Sequence, residues 1–158
     1  MTPMNPELDL ELTRVMAAPP TKIWRCWTEP ELLRKWWAPA PLTTRHVEID
    51  LTPGGRFHTI MVLPDGKDHP TDCCFLAVEP QHRLVWTDAL VGGFRPAESP
   101  MFGFTAIITM TPETGGTRYH ARAMHRSREV RDRHEEMGFQ EGWGTVTAQL
   151  DALAKGLA

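Results

Sequence analysis

From Thr43 to His125 this chain of 158 residues is a run of short segments separated by turn residues, with no helical stretch among them. The segments are Thr43 to Leu51, Arg56 to Leu63, Thr71 to Val78, Arg83 to Leu90, Met101 to Thr111 and Thr117 to His125. Pro53-Gly54-Gly55, Pro64-Asp65-Gly66-Lys67, Pro80-Gln81-His82 and Pro112-Glu113-Thr114-Gly115-Gly116 lie between them, and Val91 to Pro100 is a longer Gly/Pro-containing loop. Glycine accepts positive φ and proline presets a bend, so turns of this kind join antiparallel neighbours. A doubly wound sheet would need a helix between successive strands, and none fits. The section reads as an antiparallel meander.

What flanks the meander completes the architecture. In Glu7 to Met16, Leu8, Leu10 and Leu12 alternate with Asp9, Glu11 and Thr13, the period of a half-buried first strand that stops at Pro19-Pro20. A short helix carries Ile23, Trp24 and Trp27, and Thr28-Glu29-Pro30-Glu31 starts a second through Leu32, Leu33, Trp36 and Trp37. At the other end Val130, Met137, Trp143, Val146, Leu150 and Leu153 recur at helical spacing, which predicts one long C-terminal helix. Ser127 is a weak N-cap signal, because no acid stands three residues after it. Gly138 and Gly142 fall inside that helix, each at a cost of roughly 1 kcal/mol relative to alanine. Four residues apart and on one face, they predict close approach by another backbone or a bound molecule.

The fold class that follows is α+β. It has a seven-stranded antiparallel sheet curved around a long C-terminal helix, with two short helices between the first and second strands. The length suits one domain over residues 1–158, and neither a repeat nor a linker divides it. A formal charge of -3 gives no general reason to expect nucleic acid. Cys26, Cys73 and Cys74 are odd in number and read as reduced, buried thiols, and the first residues lack a basic stretch followed by an apolar run. A cytoplasmic location without membrane spans is expected.

A sheet that bends over a helix leaves a space whose size depends on the inward side chains. Alternation places Val47, Ile49 and Leu51 inward, then Phe57, Thr59 and Met61, then Cys74, Leu76 and Val78, then Leu84, Trp86 and Asp88. The last hairpin adds Phe104, Ala106, Ile108 and Met110, facing Tyr119, Ala121 and Ala123. The three alanines opposite the helix glycines predict a cavity. Its expected lining is Trp37, Thr59, Met61, Cys74, Trp86, Asp88, Phe104, Tyr119, Met137 and Trp143, with Tyr119, Thr59 and Asp88 as convergent polar groups.

Other chemistries find less support. His120 and His125 point to opposite faces of a strand, and His134 before Glu135-Glu136 lacks the second histidine of a zinc helix, so no metal is expected. A Cys74–His58 nucleophile pair would need a contact across the sheet, and Gly54-Gly55 and Gly92-Gly93 lack the setting of a phosphate loop. Arg126, Arg128, Arg131 and Arg133 interleave with acids as on a solvated helix face.

Four separated stretches also carry a resemblance: Ala17 to Trp24, Trp27 to Trp37, Pro53 to Phe57 and His134 to Trp143. In order and together, from about Leu8 to Leu153, they resemble SRPBCC proteins of the START/Bet v 1-like superfamily. The similar branch is the one named for the activator of the ninety-kilodalton heat-shock protein ATPase. The resemblance implies the helix-grip fold and a cavity that holds hydrophobic molecules in related branches. It does not extend to the second, N-terminal domain that accompanies this one in the eukaryotic co-chaperones. The expected function is therefore binding of a small hydrophobic or amphipathic molecule, without catalytic residues or cofactor. Two alternatives are carried along: a cyclase- or dehydratase-like enzyme using Asp88, Tyr119 or His120, and a module that docks a chaperone partner. An exposed edge strand offers a route to a homodimer.

Overall fold

The structure is a computed structural model that describes residues 2–158. Strand β1 (Asp9–Met16) leads into helix α1 (Pro20–Thr28) and the single turn α2 (Pro30–Leu33). Each helix starts on a proline directly after an extended residue, where the missing N–H leaves no bond unmade. The meander follows as β2 (Thr43–Ile49), β3 (Arg56–Val62), β4 (Asp68–Glu79) and β5 (Arg83–Thr87). Two-residue strands β6 (Leu90–Val91) and β7 (Arg95–Pro96) pair within the Gly/Pro loop, and β8 (Thr105–Glu113) and β9 (Gly116–Met124) form the last hairpin. Helices α3 (Arg128–Glu136) and α4 (Phe139–Gly156) close the chain.

The long strands form one seven-stranded sheet in the order β1-β9-β8-β5-β4-β3-β2, with every pairing antiparallel. Consecutive strands β1 and β2 thus lie at opposite edges, and α1 and α2 make the crossing between them. Register aligns Leu10, Ala123, Ala106, Trp86 and Phe75 in one row across five strands, all buried in the main apolar cluster. Helix α4 packs against α1 and β1 and adds Leu150 and Ala154 to that cluster. Its Gln149 amide donates to the Trp36 and Ala38 carbonyls at 3.0 and 2.8 Å and accepts from the Ala40 N–H at 2.8 Å. The segment after α2 is thereby tied to the helix.

Several local expectations are corrected. The C-terminal helix is two helices, broken at Met137-Gly138, where Gly138 takes φ +95°. No side chain or foreign backbone lies within 4 Å of where a Cβ would stand at Gly138 or Gly142, so neither glycine marks a close approach. Ser127 does cap α3, its hydroxyl accepting from the Val130 N–H at 3.3 Å; only the reciprocal acid of a capping box is missing. Strand β4 begins at Asp68 rather than Thr71, and β5 stops at Thr87, so Asp88 lies just beyond it.

A bulge in β4 reverses its parity. Phe75 and Ala77 oppose the adjacent residues Trp86 and Val85, which leaves Leu76 as the extra residue. Cys73 and Phe75 therefore belong to the main cluster before the bulge, and Val78 packs against it after. Cys74 is buried but outside that cluster, contrary to the simple alternation. No helix among the described residues is long and apolar enough to cross a membrane.

Candidate ligand cavity

A cavity of about 700 Å³ opens beside the buried row, bounded by the α1–α2 segment, β3, β4 and β5, the stretch Ala97 to Phe104, and helices α3 and α4. Ala106, Ala121 and Ala123 do not line it; they are wholly buried in the main apolar cluster. The open space lies instead among aromatic rings. Trp27, Trp36 and Trp37 meet edge to face with centroids 5.0–5.5 Å apart, and Trp37 leads on to Phe57 at 5.2 Å and Trp86 at 6.0 Å. Phe104 lies 5.5 Å from Trp86, and Trp143 stacks over Trp86 at 6.4 Å. Edge-to-face geometry suits the ring quadrupoles and holds the walls in defined rotamers.

Of the residues expected to line the space, Trp37, Met61, Trp86, Asp88, Phe104, Tyr119 and Trp143 border it. Three do not. Thr59 is buried behind Trp37 and accepts its indole N–H at 3.2 Å, so it positions a lining ring rather than facing the space. Cys74 is displaced by the β4 bulge, and Cys73 takes its place in the wall. Met137 sits at the break between α3 and α4 with 59% of its surface exposed. Its helical spacing relative to Val130 and Trp143 would put it inward only if the helix were continuous.

The indole N–H groups show how the rings are held. Trp27 donates to the Tyr119 hydroxyl at 3.1 Å and Trp36 to the Cys26 carbonyl at 2.9 Å, which anchors both rings. The Nε1 of Trp86 is buried and has no hydrogen-bond partner among the described residues. A buried donor without a partner costs about 1–3 kcal/mol, and this one is sealed within the wall rather than open to the cavity. Burial pushes the Tyr119 phenol far above its ordinary value, against a smaller opposing effect of the Trp27 hydrogen bond, so Tyr119 stays neutral and can donate.

Asp88 is 6% exposed, and both carboxylate oxygens are in use. They accept the Phe102 N–H at 3.1 Å and the Phe104 N–H at 2.7 Å, which holds the wall segment in place. Arg126 and Arg133 donate to the carbonyls of Phe102 and Met101 from the other side, at 3.0 and 2.7 Å. Asp88 is thus placed as an anchor of the wall. His120, the other candidate acid or base, lies outside the cavity and bonds Glu11 at 2.8 Å. His58 borders the cavity while Cys74 does not, so they form no nucleophile pair across it.

Sequence reasoning missed His134. It stacks on Phe102 with centroids 4.0 Å apart, borders the cavity, and bonds His125 between Nδ1 and Nε2 at 2.8 Å. Burial, with smaller effects of His125 and Arg133, pulls its pKa down to about 4 from 6.5. His125 is lowered too, mainly by burial. The signal lay in the sequence as a histidine four residues after Val130, on the same face of α3, and a search for zinc spacing does not detect it. Among the described residues no three His, Cys, Asp or Glu side chains are grouped to hold a metal ion.

Residues 17–155 match the family described as Activator of Hsp90 ATPase homolog 1-like protein. Among solved structures, a protein of Nitrosomonas europaea is 49% identical over 96% of this chain and 97% of its own, with a TM-score of 0.92. A protein of Mycobacterium smegmatis is 31% identical over 95% and 92% of the two chains, with a TM-score of 0.79. A protein of Rhodobacter sphaeroides, 21% identical over 96% and 95% at a TM-score of 0.82, shares the fold. No curated protein matches the chain. The family match over most of the length and the shared fold agree with the four motif stretches, and the chain belongs to the Activator of Hsp90 ATPase homolog 1-like protein family.

Proposed function

We propose that this protein binds a neutral, amphipathic small molecule with an aromatic or alicyclic body in the cavity between sheet and helices. The observation that carries the reading is the lining: tryptophan and phenylalanine rings, three carboxylates in Asp72, Asp88 and Glu98, and neither lysine nor arginine. A volume of about 700 Å³ falls within the range of small-molecule sites. Apolar surface buried there stabilises a complex by roughly 25 cal/mol per Å². An anionic ligand such as a fatty acid would bring its carboxylate toward Asp88 and Glu98, which electrostatics disfavours, and Arg56, beside the lining residue Asp72, is already bonded to Asp72 and Glu48. The exposed hydrophobic side chain of Met101 at the cavity border supports an entry path on that side.

Thermal shift and isothermal titration against matched neutral, cationic and anionic amphiphiles test the proposal. The neutral set is expected to raise the Tm and the anionic set to leave it unchanged. Retention of a heat-shock chaperone from lysate, with no compound of any charge raising the Tm, would replace this reading with chaperone docking.

A further inference from the structure

The His125–His134 pair defines a proton arrangement that follows from its partners. His125 Nδ1 lies 2.9 Å from the Leu8 carbonyl oxygen, which can only accept, so this nitrogen carries a hydrogen. Both rings are biased toward the neutral form by burial. A neutral His125 protonated at Nδ1 has a lone pair at Nε2, and the 2.8 Å contact then requires His134 to donate from Nδ1. A neutral His134 with its hydrogen on Nδ1 carries a bare lone pair at Nε2. That nitrogen has no protein partner among the described residues, and it is not among the buried polar atoms left without one, so it remains accessible. The chain of Leu8 carbonyl, His125 and His134 joins β1's leading segment, the end of β9 and α3, and it turns a residue of the cavity wall into an oriented acceptor.

The rings beside His134 are continuous with the rest of the cavity wall. Phe104 is 5.5 Å from the Trp86 ring and 5.1 Å from the His134 ring, and Trp143 is 6.4 and 6.2 Å from the same two. The His134 lone pair therefore stands beside the aromatic pair Phe104 and Trp143, which continues to Trp86 in the cavity wall. From this juxtaposition we infer that the cavity selects a neutral hydroxyl-bearing ligand, a phenol or alcohol, whose O–H donates to His134 Nε2 while its body lies against the aromatic rings. The inference rests on the reading of the cavity as a ligand site and adds the ligand's chemical class. His134 is the contacting residue, and His125 is a positioning residue that sets its tautomer.

Two probes that differ at one group test it: 6-acetyl-2-naphthol and its methyl ether, titrated calorimetrically into the whole protein at pH 7. Burial of apolar surface alone favours the ether, which is the more apolar of the two. The naphthol is expected to bind about tenfold more tightly, the worth of one hydrogen bond to an otherwise unpaired group. In His134→Phe the preference for the naphthol over its ether should vanish. Equal binding, or tighter binding of the ether, to the native protein overturns the hydroxyl subsite and leaves the cavity as a binding site. Failure of both probes to bind overturns the cavity reading and the subsite with it. Independently of any variant, the ¹⁵N resonance of His134 Nε2 in the native protein is expected in the unprotonated, pyridine-like range and should move upfield with the naphthol but not the ether. A protonated, pyrrole-like Nε2 in the free protein rejects the tautomer and the inference. In His125→Leu, mixed His134 tautomers and a reduced naphthol preference are expected; an unchanged His134 resonance would remove His125 from the positioning role.

Discussion

His134 combines three properties that are separable only at the level of single atoms: a buried ring face on Phe102, a donor nitrogen committed to His125, and a second nitrogen free of protein partners. The first has a consequence for stability. In the unfolded chain the side chain titrates near 6.5, whereas in the folded protein it is held to about 4. Between these values the unfolded state binds more protons, so stability falls as pH drops through that window and is unaffected above it. The full effect is about 3 kcal/mol. Urea unfolding of the native protein at pH 7 and pH 4.5, compared with His134→Gln, should show a pH sensitivity that is smaller in the variant by a large part of that amount. Equal pH sensitivity would mean that other groups account for the acid lability. A histidine's type and position were legible in the sequence, but its neutrality and tautomer were not. They depend on Leu8 and His125, which α3 meets only after folding.

At the scale of elements, the two glycines of the C-terminal region have opposite roles although they lie four residues apart. Gly138 turns the chain between α3 and α4 in a left-handed conformation that costs other residues about 1–2 kcal/mol, and open space around it offers no compensating contact. Gly142 is an ordinary residue of α4 that borders the cavity, and an added methyl group there would meet no side chain or foreign backbone within 4 Å. Gly138→Ala should therefore destabilise the protein by about 1 kcal/mol, and Gly142→Ala should stabilise it by about 0.5–1 kcal/mol through helix propensity. Thermal melts of the two variants check the signs; like signs would mean that the helix break is not where the backbone strain resides. Helical spacing alone could not show the break, because Val130 and Trp143 keep the same period on both sides of it. The β4 bulge escaped for a similar reason: one extra residue at Leu76 exchanges Cys74 for Cys73 in the wall, and nothing local to β4 requires it. The turns, by contrast, were legible, since proline and glycine act through their own backbone.

Across the whole molecule, the Asp9–Arg122 ion pair is the most deeply buried of the ion pairs among the described residues. Both side chains are 3% exposed, with guanidinium to carboxylate distances of 2.6 and 3.1 Å. Arg122 also donates to the carbonyls of Thr2 and Pro3 at 2.5 and 2.8 Å, while Asp9 accepts the Asn5 N–H at 3.0 Å. The N-terminal segment thereby covers the outer face of β1 and β9. Arg122→Met leaves a buried carboxylate without its counter-charge and should cost about 3–5 kcal/mol, whereas the double variant Asp9→Leu, Arg122→Met should recover much of it. Urea unfolding of the three proteins decides, and an additive double variant would show that the pair is not coupled. Alternation had placed Asp9 on the solvent side of a half-buried strand; its side was right, and the cover over that side comes from residues outside the strand. The sequence by itself determined the antiparallel meander, the flanking helices and the family's fold, because alternation, proline and glycine act over a few neighbouring residues. Only the tertiary structure decided where the cavity lies, which cysteine borders it and which nitrogen of His134 is left without a protein partner. Those depend on a bulge, a helix break and hydrogen bonds between residues brought together from Leu8, His125 and His134, and no local pattern specifies contacts across such separations.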